Sequence, residues 1–420
     1  MLSGILVFLT FNRHSKSGYF NYHSEIWADK AGYYVYLPAT FIYSWDPCKF
    51  PEQIDKRTGD GFRLNCEDGK IKTKYTYGVA LMELPWFLVA HTFAHVLEMP
   101  ADGFSPVYHW SINMSAITFF ILALMLLDRV LKISRTAKSR YLTLAIIFLG
   151  TNLYYYAVDE TGMSHIYSFA LFSYYLLLLK KSEFLREVDN KLFLKMGMIG
   201  ALIVLIRPIN LLFLSCTLFL KITDKNSLTK RLKLLFQFKS ITLLIMGGIV
   251  IWLPQMIYWK LLSGNLFNYS YGEEGFDFTH PVLFQTWFAP NNGLFTYTPL
   301  YFVILSAIVL QYKDSKLNTS FYIGVFVLLS YILASWWDPT FGCSFGNRNF
   351  IEYLALFSLP LATFLTRLRR YPLKLQVLFF AIISVCVGVN LKLTYTFDDC
   401  FFGSPWNWEA YLKLLTEPTK

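Results

Sequence analysis

The sequence predicts an all-α fold, a polytopic bundle of transmembrane helices, and three observations carry that prediction. Of 420 residues, 55% are hydrophobic and 16% charged, with mean hydropathy +0.40, whereas a soluble domain carries about a quarter charged residues. Aromatic residues reach 19%, giving more apolar surface than a soluble chain of this size can bury. The third observation is a series of apolar runs near the ~20 residues that a helix needs to cross hydrocarbon. Together they exclude a soluble enzyme, a disordered tail, and a collagen-like or disulfide-stapled fold.

The runs fall near 108–128, 141–158, 162–179, 240–262, 299–312, 318–337, 349–366 and 375–396. Between Lys191 and Lys221 a longer apolar stretch breaks at Arg207-Pro208. It is too long for one span, so two short helices are expected to meet there. Met1–Phe11 adds a partial span, too short to cross alone at ~1.5 Å per residue. It has no basic leader region and no small-residue cleavage site, so it does not read as a cleaved signal peptide.

Charge orients the bundle. Five connections, 128–140, 180–195, 221–239, 313–316 and 367–374, hold 22 of the 38 Lys/Arg but only 6 of the 28 Asp/Glu. The positive-inside rule puts these connections in the cytoplasm. The net charge of +10 is therefore a topology signal, and no nucleic-acid partner is expected. The opposite face receives the long connections 12–107, 263–298 and 338–348 and the tail after Phe397. Segment 76–98 is apolar but carries Glu83, Pro85, His91 and His95. As a span it would invert every later loop, so it is expected to lie on the outer leaflet, beside another surface helix around 26–44. About 11 spans result, in a single domain over residues 1–420 with no visible repeat.

Six cysteines divide by side. Cys216 and Cys386 sit in spans as packing residues. Cys48, Cys66, Cys343 and Cys400 fall on the outer face, where an oxidising compartment permits disulfides. Of the three possible pairings, Cys48–Cys66 closes the shortest loop and is the expected one.

Acids and arginines near hydrocarbon are costly and default to function. Here they gather at the outer face: Asp29; Asp159 and Glu160 at the end of the 141–158 span; His165; Arg207 at the break; Glu273, Glu274 and His280 in one loop; Trp337 with Asp338; and Arg348 with Glu352. Plain structural roles compete. Asp29 equally suits a solvated loop acid or a helix cap near Ala31. Asp159 and Glu160 equally suit the positive end of the next helix. Trp336-Trp337 suits an interfacial aromatic belt. As a constellation, outward carboxylates suit deprotonating a hydroxyl or holding a divalent cation. Arginines suit a phosphate, and aromatic, Asn-rich loops suit sugar rings. A lipid-phosphate sugar donor would need such a site at the mouth of a helix bundle.

The segments WADKAGYYVYLPA, KYTYGVALMELPWFLVAH, the Asp159-Glu160 pair, the Arg207-Pro208 break, NNGLFTYTPLYF and WWDPTFGCSFGNRNFIE resemble the GT-C class of polytopic glycosyltransferases. The style is close to protein O-mannosyltransferases and lipid A aminoarabinose transferases. The resemblance implies transfer of a sugar from a polyprenyl-phosphate-linked donor to a lipid, glycan or protein acceptor on the outer face. Displacement at the anomeric carbon would be direct, with inversion. By position, Asp29 would be the base, and Arg207 or Arg348 would hold the donor phosphate. Asp159 and Glu160 would orient the acceptor or hold a cation, while His165, Glu273, Glu274, His280, Trp337 and Asp338 would line the substrate site. One departure stands out: Lys30, not a second acid, follows Asp29, which shifts weight for any metal site from Asp29 toward Asp159-Glu160. Metal dependence stays open.

Two other classes compete: a lipid or solute transporter or flippase, and a surface-polysaccharide polymerase or ligase. A transporter wants ionisable residues at mid-membrane and repeated halves. A polymerase wants a late loop rich in Arg and His, and 263–298 has no Arg. With no eukaryotic retention signal, the expected location is a bacterial inner membrane with the site facing the periplasm or exterior.

Overall fold

The computed structural model describes residues 2–132, 135–182, 187–222, 224–342, 344–397 and 404–418; the expectations for Cys343 and Cys400 fall outside them. The chain is 67% helical and 2% strand. Helix α1 (Leu2–His14) leads into the first long connection, which holds α2 (Asp29–Tyr34), α3 (Tyr36–Phe41), α4 (Ile54–Arg57) and the antiparallel strands β1 (Phe62–Asn65) and β2 (Lys70–Thr73). Then come α5 (Gly78–Val96), α6 (Pro106–Lys132), α7 (Ala137–Leu149), α8 (Leu153–Val158), α9 (Ser164–Ser182) and α10 (Asn190–Ile206). After a 3-10 turn at Pro208–Ser215 follow α11 (Cys216–Phe219), α12 (Lys225–Leu235), α13 (Phe238–Ser263), α14 (Leu283–Phe288), α15 (Leu294–Tyr297) and α16 (Leu300–Val309). The chain continues through α17 (Lys316–Ala334), α18 (Leu354–Leu368), α19 (Leu373–Thr396) and α20 (Trp408–Thr416).

Among the described residues, five helices are long and apolar enough to cross a membrane: α5, α6, α13, α17 and α19. Run 162–179 forms α9, as long as α5 and α17 but less apolar, and the other apolar runs form shorter or broken helices. Run 141–158 splits into α7 and α8 at Gly150–Asn152, and α10 stops at Arg207, where Pro208 lacks an N–H and disfavours helix in the residue before it.

Segment 76–98 is helical as α5, and its neighbours locate it in the fold. It runs antiparallel to the first half of α6, with the Trp86 indole on Thr118 (3.1 Å) and His91 on the Tyr108 hydroxyl (2.6 Å). That half of α6 extends past the start of α9, where Phe119 meets Tyr167. The first half of α5 packs into the bundle, where Val79 and Met82 join the larger of two cores and the Tyr167 hydroxyl donates to Glu83 at 3.2 Å. Its second half packs on the projecting stalk of α6.

Two cores result. The larger fills the bundle; the smaller gathers Ile26, Tyr34, Phe50, Phe62, Phe87, Phe104 and Tyr108 between the first connection, α5 and the stalk. The hairpin that seals the smaller core was not foreseen by the helical reading. Cys48 and Cys66 form the expected disulfide, Cα–Cα 5.2 Å, tying the hairpin to the preceding turn. In the bundle, α10 and α13 approach so closely that a Cβ on Gly197 would lie 2.4 Å from the Leu244 carbonyl oxygen, and one on Gly247 2.5 Å from that of Leu194. Small residues at such a contact let backbones meet where water supplies no hydrophobic drive.

Candidate active-site cavity

At the end of the bundle where α10 and α17 finish and α9 and α18 begin, a cavity of about 590 Å³ opens beneath the first connection. Seven of the expected residues line it: Asp29, Glu160, Arg207, Glu274, Trp337, Asp338 and Arg348. They come from five separate stretches of sequence.

Asp29 owes its place to the hairpin. It opens α2 without acting as a cap, because no side-chain bond caps this helix. Ala28 before it has φ 46°, an uncommon conformation for a residue with a Cβ, and its N–H donates to the Thr58 carbonyl at 2.7 Å. Gly61 allows this turn: a Cβ there would lie 1.8 Å from the Ala28 carbonyl oxygen. The Thr73 hydroxyl donates to the Gly32 carbonyl at 2.9 Å, fastening β2 to α2. Tyr75, two residues beyond β2's end, thereby donates its hydroxyl to Asp29 Oδ1. Arg348 Nη2 donates to Asp29 Oδ2 at 3.0 Å.

The Asp29 carboxylate is 31% exposed, toward the cavity. Burial pushes its carboxyl up, but the Arg348 guanidinium, the Tyr75 hydroxyl and the Lys74 ammonium together hold it below the usual carboxylate range. Burial and the neighbouring Asp29 charge push the Tyr75 hydroxyl well above its own range, so it remains a donor.

Arg207 lines the same cavity as Asp29 and rests on a buried cluster. Its Nη1 contacts His165 Nδ1 at 2.9 Å and Glu352 Oε1 at 3.4 Å, and its Nη2 donates to Asn349 Oδ1. His165 also contacts Glu352 at 3.0 Å. His165 and Glu352 are fully buried, so they orient Arg207 and do not line the cavity. Lys74 bridges to Glu274 at 3.0 Å, joining the first connection to the 269–276 loop. Trp336 packs edge-on against Tyr271 and Phe276, while Trp337 is 59% exposed at the rim.

The remaining expected residues, in or off the cavity, are engaged by partners of their own or exposed. Asp159 is buried, off the cavity, and accepts from Arg13 of α1. Glu160 Oε2 accepts from Lys30 at 2.8 Å, while its Oε1 has no hydrogen-bond partner. The Asp338 carboxylate caps its own loop, accepting from the Thr340 N–H at 3.0 Å and the Gly342 N–H at 2.7 Å. Glu273 is exposed, and His280 points to solvent paired with Asp277 at 2.9 Å. Asp29, Asp159 and Glu160 each hold a basic partner and do not share one centre. No group of three or more His, Cys, Asp or Glu side chains suited to a metal ion occurs among the described residues.

Sequence reasoning missed Lys74 and Tyr75. Their signal is a basic–aromatic pair at the junction of an amphiphilic hairpin and an apolar helix. It also missed Glu25, which sits between His109 Nδ1 (2.7 Å) and His14 Nδ1 (2.8 Å) and accepts from Asn113 at 2.6 Å. That buried knot ties α1, the first connection and the stalk together beside the cavity wall.

No family model, no curated protein and no solved structure matches this chain.

Proposed function

We propose that the protein is a membrane glycosyltransferase that moves a sugar from a polyprenyl-phosphate-linked donor to an acceptor hydroxyl on the outer face. The observation that carries this reading is that Asp29, Arg207 and Arg348 line one aromatic-walled cavity, with Arg348 bound to Asp29. A carboxylate beside two guanidiniums suits a reaction that removes a proton from one partner and leaves negative charge on the other.

In the proposed step, the acceptor oxygen attacks the anomeric carbon while the bond from that carbon to the phosphate oxygen breaks, with inversion. The acceptor proton passes to Asp29 and then to solvent. Arg207 and Arg348 hold the charge of the departing polyprenyl phosphate, bidentately where geometry allows. Before donor binds, Arg348 pairs with Asp29 and keeps its basicity low. A phosphate competing for Arg348 removes part of that restraint, so the base gains strength when the donor is in place. Tyr271, Trp336 and Trp337 offer apolar faces for a sugar ring.

On this reading the short helices complete about 11 crossings. The basic connections lie in the cytoplasm, α5 rests at the outer surface of a bacterial inner membrane, and Asp159 and Glu160 anchor the first connection. The test is sugar release from labelled polyprenyl-phosphate-sugars by purified wild type and Asp29→Asn, with and without chelator. Turnover by wild type alone supports the proposal, and chelator sensitivity would add a cation to it. If no donor in a broad panel turns over or binds, the reading falls and transport becomes the next assay.

A further inference from the structure

Three long helices have exposed aromatic rings at both ends. Helix α13 starts at Phe238 and is followed by Phe267; α17 follows Tyr312 and meets Phe278, stacked at 6.0 Å on Tyr331 of its last turn. Helix α19 follows Tyr371 and precedes Trp406. Between these rings the exposed surface carries Ile249, Leu253 and Ile257 on α13, and Val327 and Leu328 on α17. Aromatic residues favour the headgroup level of a bilayer and aliphatic ones its hydrocarbon. At ~1.5 Å per residue the 19-residue α17 measures about 28 Å, close to the ~30 Å of a hydrocarbon core.

At the cavity end, three of these rings belong to or touch one strap. From Lys260 to Gln285 no residue is buried, yet this stretch carries Phe267 (68% exposed), Phe278 (50%) and Phe284 (66%). Its backbone is pinned to the end of α17: the Asp277 N–H donates to the Ser335 carbonyl at 2.7 Å, and the Val282 N–H to that of Ala334 at 3.0 Å. The rings are held outward in pairs, Phe278 on Phe276 at 5.3 Å and Phe284 on Trp406 at 5.5 Å. The strap continues the exposed apolar faces of α13 and α17, so whatever covers those helices reaches it. Between Lys260 and Lys313 there is no Lys or Arg, while Glu273, Glu274 and Asp277 are acidic. That charge suits zwitterionic headgroups rather than anionic ones.

We propose that this strap, with Trp406 beside it, is a lipid-docking shelf whose rings seat in the zwitterionic headgroup layer at the cavity end. The shelf rests on the helices' crossing a bilayer and not on the sugar-transfer reading. Tyr271 and Phe276 of the same strap line the cavity. The cavity therefore opens at headgroup depth, where a lipid-borne group reaches it without leaving its leaflet.

The test places a nitrobenzoxadiazole label at Phe278→Cys or Phe284→Cys of the full chain, in a Cys343→Ser/Cys400→Ser background, in phosphatidylcholine nanodiscs. Two lipids quench it, one with a nitroxide on its headgroup and one with a nitroxide at carbon 12 of its acyl chain. Both shelf labels should be quenched about twofold more strongly by the headgroup nitroxide. Val327→Cys, within α17, should show the reverse preference, and Asp68→Cys, in the hairpin turn, should be quenched by neither. Should a ring replacement fail to fold, Leu266→Cys, exposed on the same strap, carries the label. Shelf labels as unquenched as Asp68→Cys overturn the proposal, whether water or a second copy of the chain covers the face. Acyl-chain quenching equal to that of Val327→Cys also overturns it, because the strap would then lie within hydrocarbon.

Discussion

Replacing Tyr75 by Phe removes one hydroxyl from the candidate base and leaves its ring among Tyr33, Lys74 and Tyr271. The lost bond runs to a charged acceptor, a class worth ~1.5–3 kcal/mol. Asp29 is 31% exposed to the cavity, so water recovers part of this, and the lower bound of about 1.5 kcal/mol applies. At ~1.4 kcal/mol per pH unit, the carboxyl should rise by about one unit. The sign follows from what Tyr75 does: it stabilises the ionised form, so its loss favours the protonated one. Sugar transfer in kcat/KM, measured against pH, should therefore show its acidic limb displaced upward by about one unit in Tyr75→Phe. The direction should be the same and the displacement larger in Arg348→Lys, which loses the planar guanidinium geometry. An acidic limb that stays put in both variants, or one that survives in Asp29→Asn, refutes Asp29 as the base.

Other outcomes follow from the same contacts. Arg207→Ala should weaken donor binding by about 3 kcal/mol if it pairs with a desolvated phosphate; unchanged donor affinity would remove it from the site. Glu25→Gln should destabilise the fold by about 3 kcal/mol at neutral pH by leaving His14 and His109 without their carboxylate. Burial pushes the Glu25 carboxyl up, but bonds to His109 and His14 outweigh it and hold it far below its usual range. The stabilisation it supplies is thus present above the unfolded value and lost only as pH falls through the folded one. The thermal deficit of the variant should persist as the medium is acidified through the ordinary carboxylate range. Cys48→Ala/Cys66→Ala, opening a loop of sequence separation 18, should lower stability by about 3 kcal/mol. Wild type should match that loss when melted in reductant.

Composition and apolar spacing were enough to read the helical bundle, because burial in lipid leaves a pattern in every run. The Arg207 break was legible for the same local reason: a proline forbids the next helical bond. The disulfide followed from two cysteines near each other on one face. The hairpin was not legible, since FRLNCEDGKIKT is short and largely polar and is held by contacts to α2 and Tyr258 rather than by its own pattern. Nor could spacing tell Asp29 and Glu160, which line the cavity, from Asp159, one residue away and bound to Arg13. Which carboxylate faces the cavity depends on tertiary partners drawn from α1 and the first connection. Tyr75 was missed because a tyrosine in a chain with 28 of them carries no signal until a carboxylate is placed beside it.

The ion pair between Asp29 and Arg348 spans 319 positions of sequence. At ~5–20 residues emerging per second, Arg348 leaves the ribosome roughly 16 to 64 s after Asp29. During that interval the growing chain already holds Asp29 and gathers most of the cavity wall, but not the guanidinium that fixes its carboxylate. A chain truncated before the final fifth would keep most of its helices but lack Trp337, Asp338, Phe341 and Arg348, so Asp29 would stand in a cavity missing one side and without its ion pair.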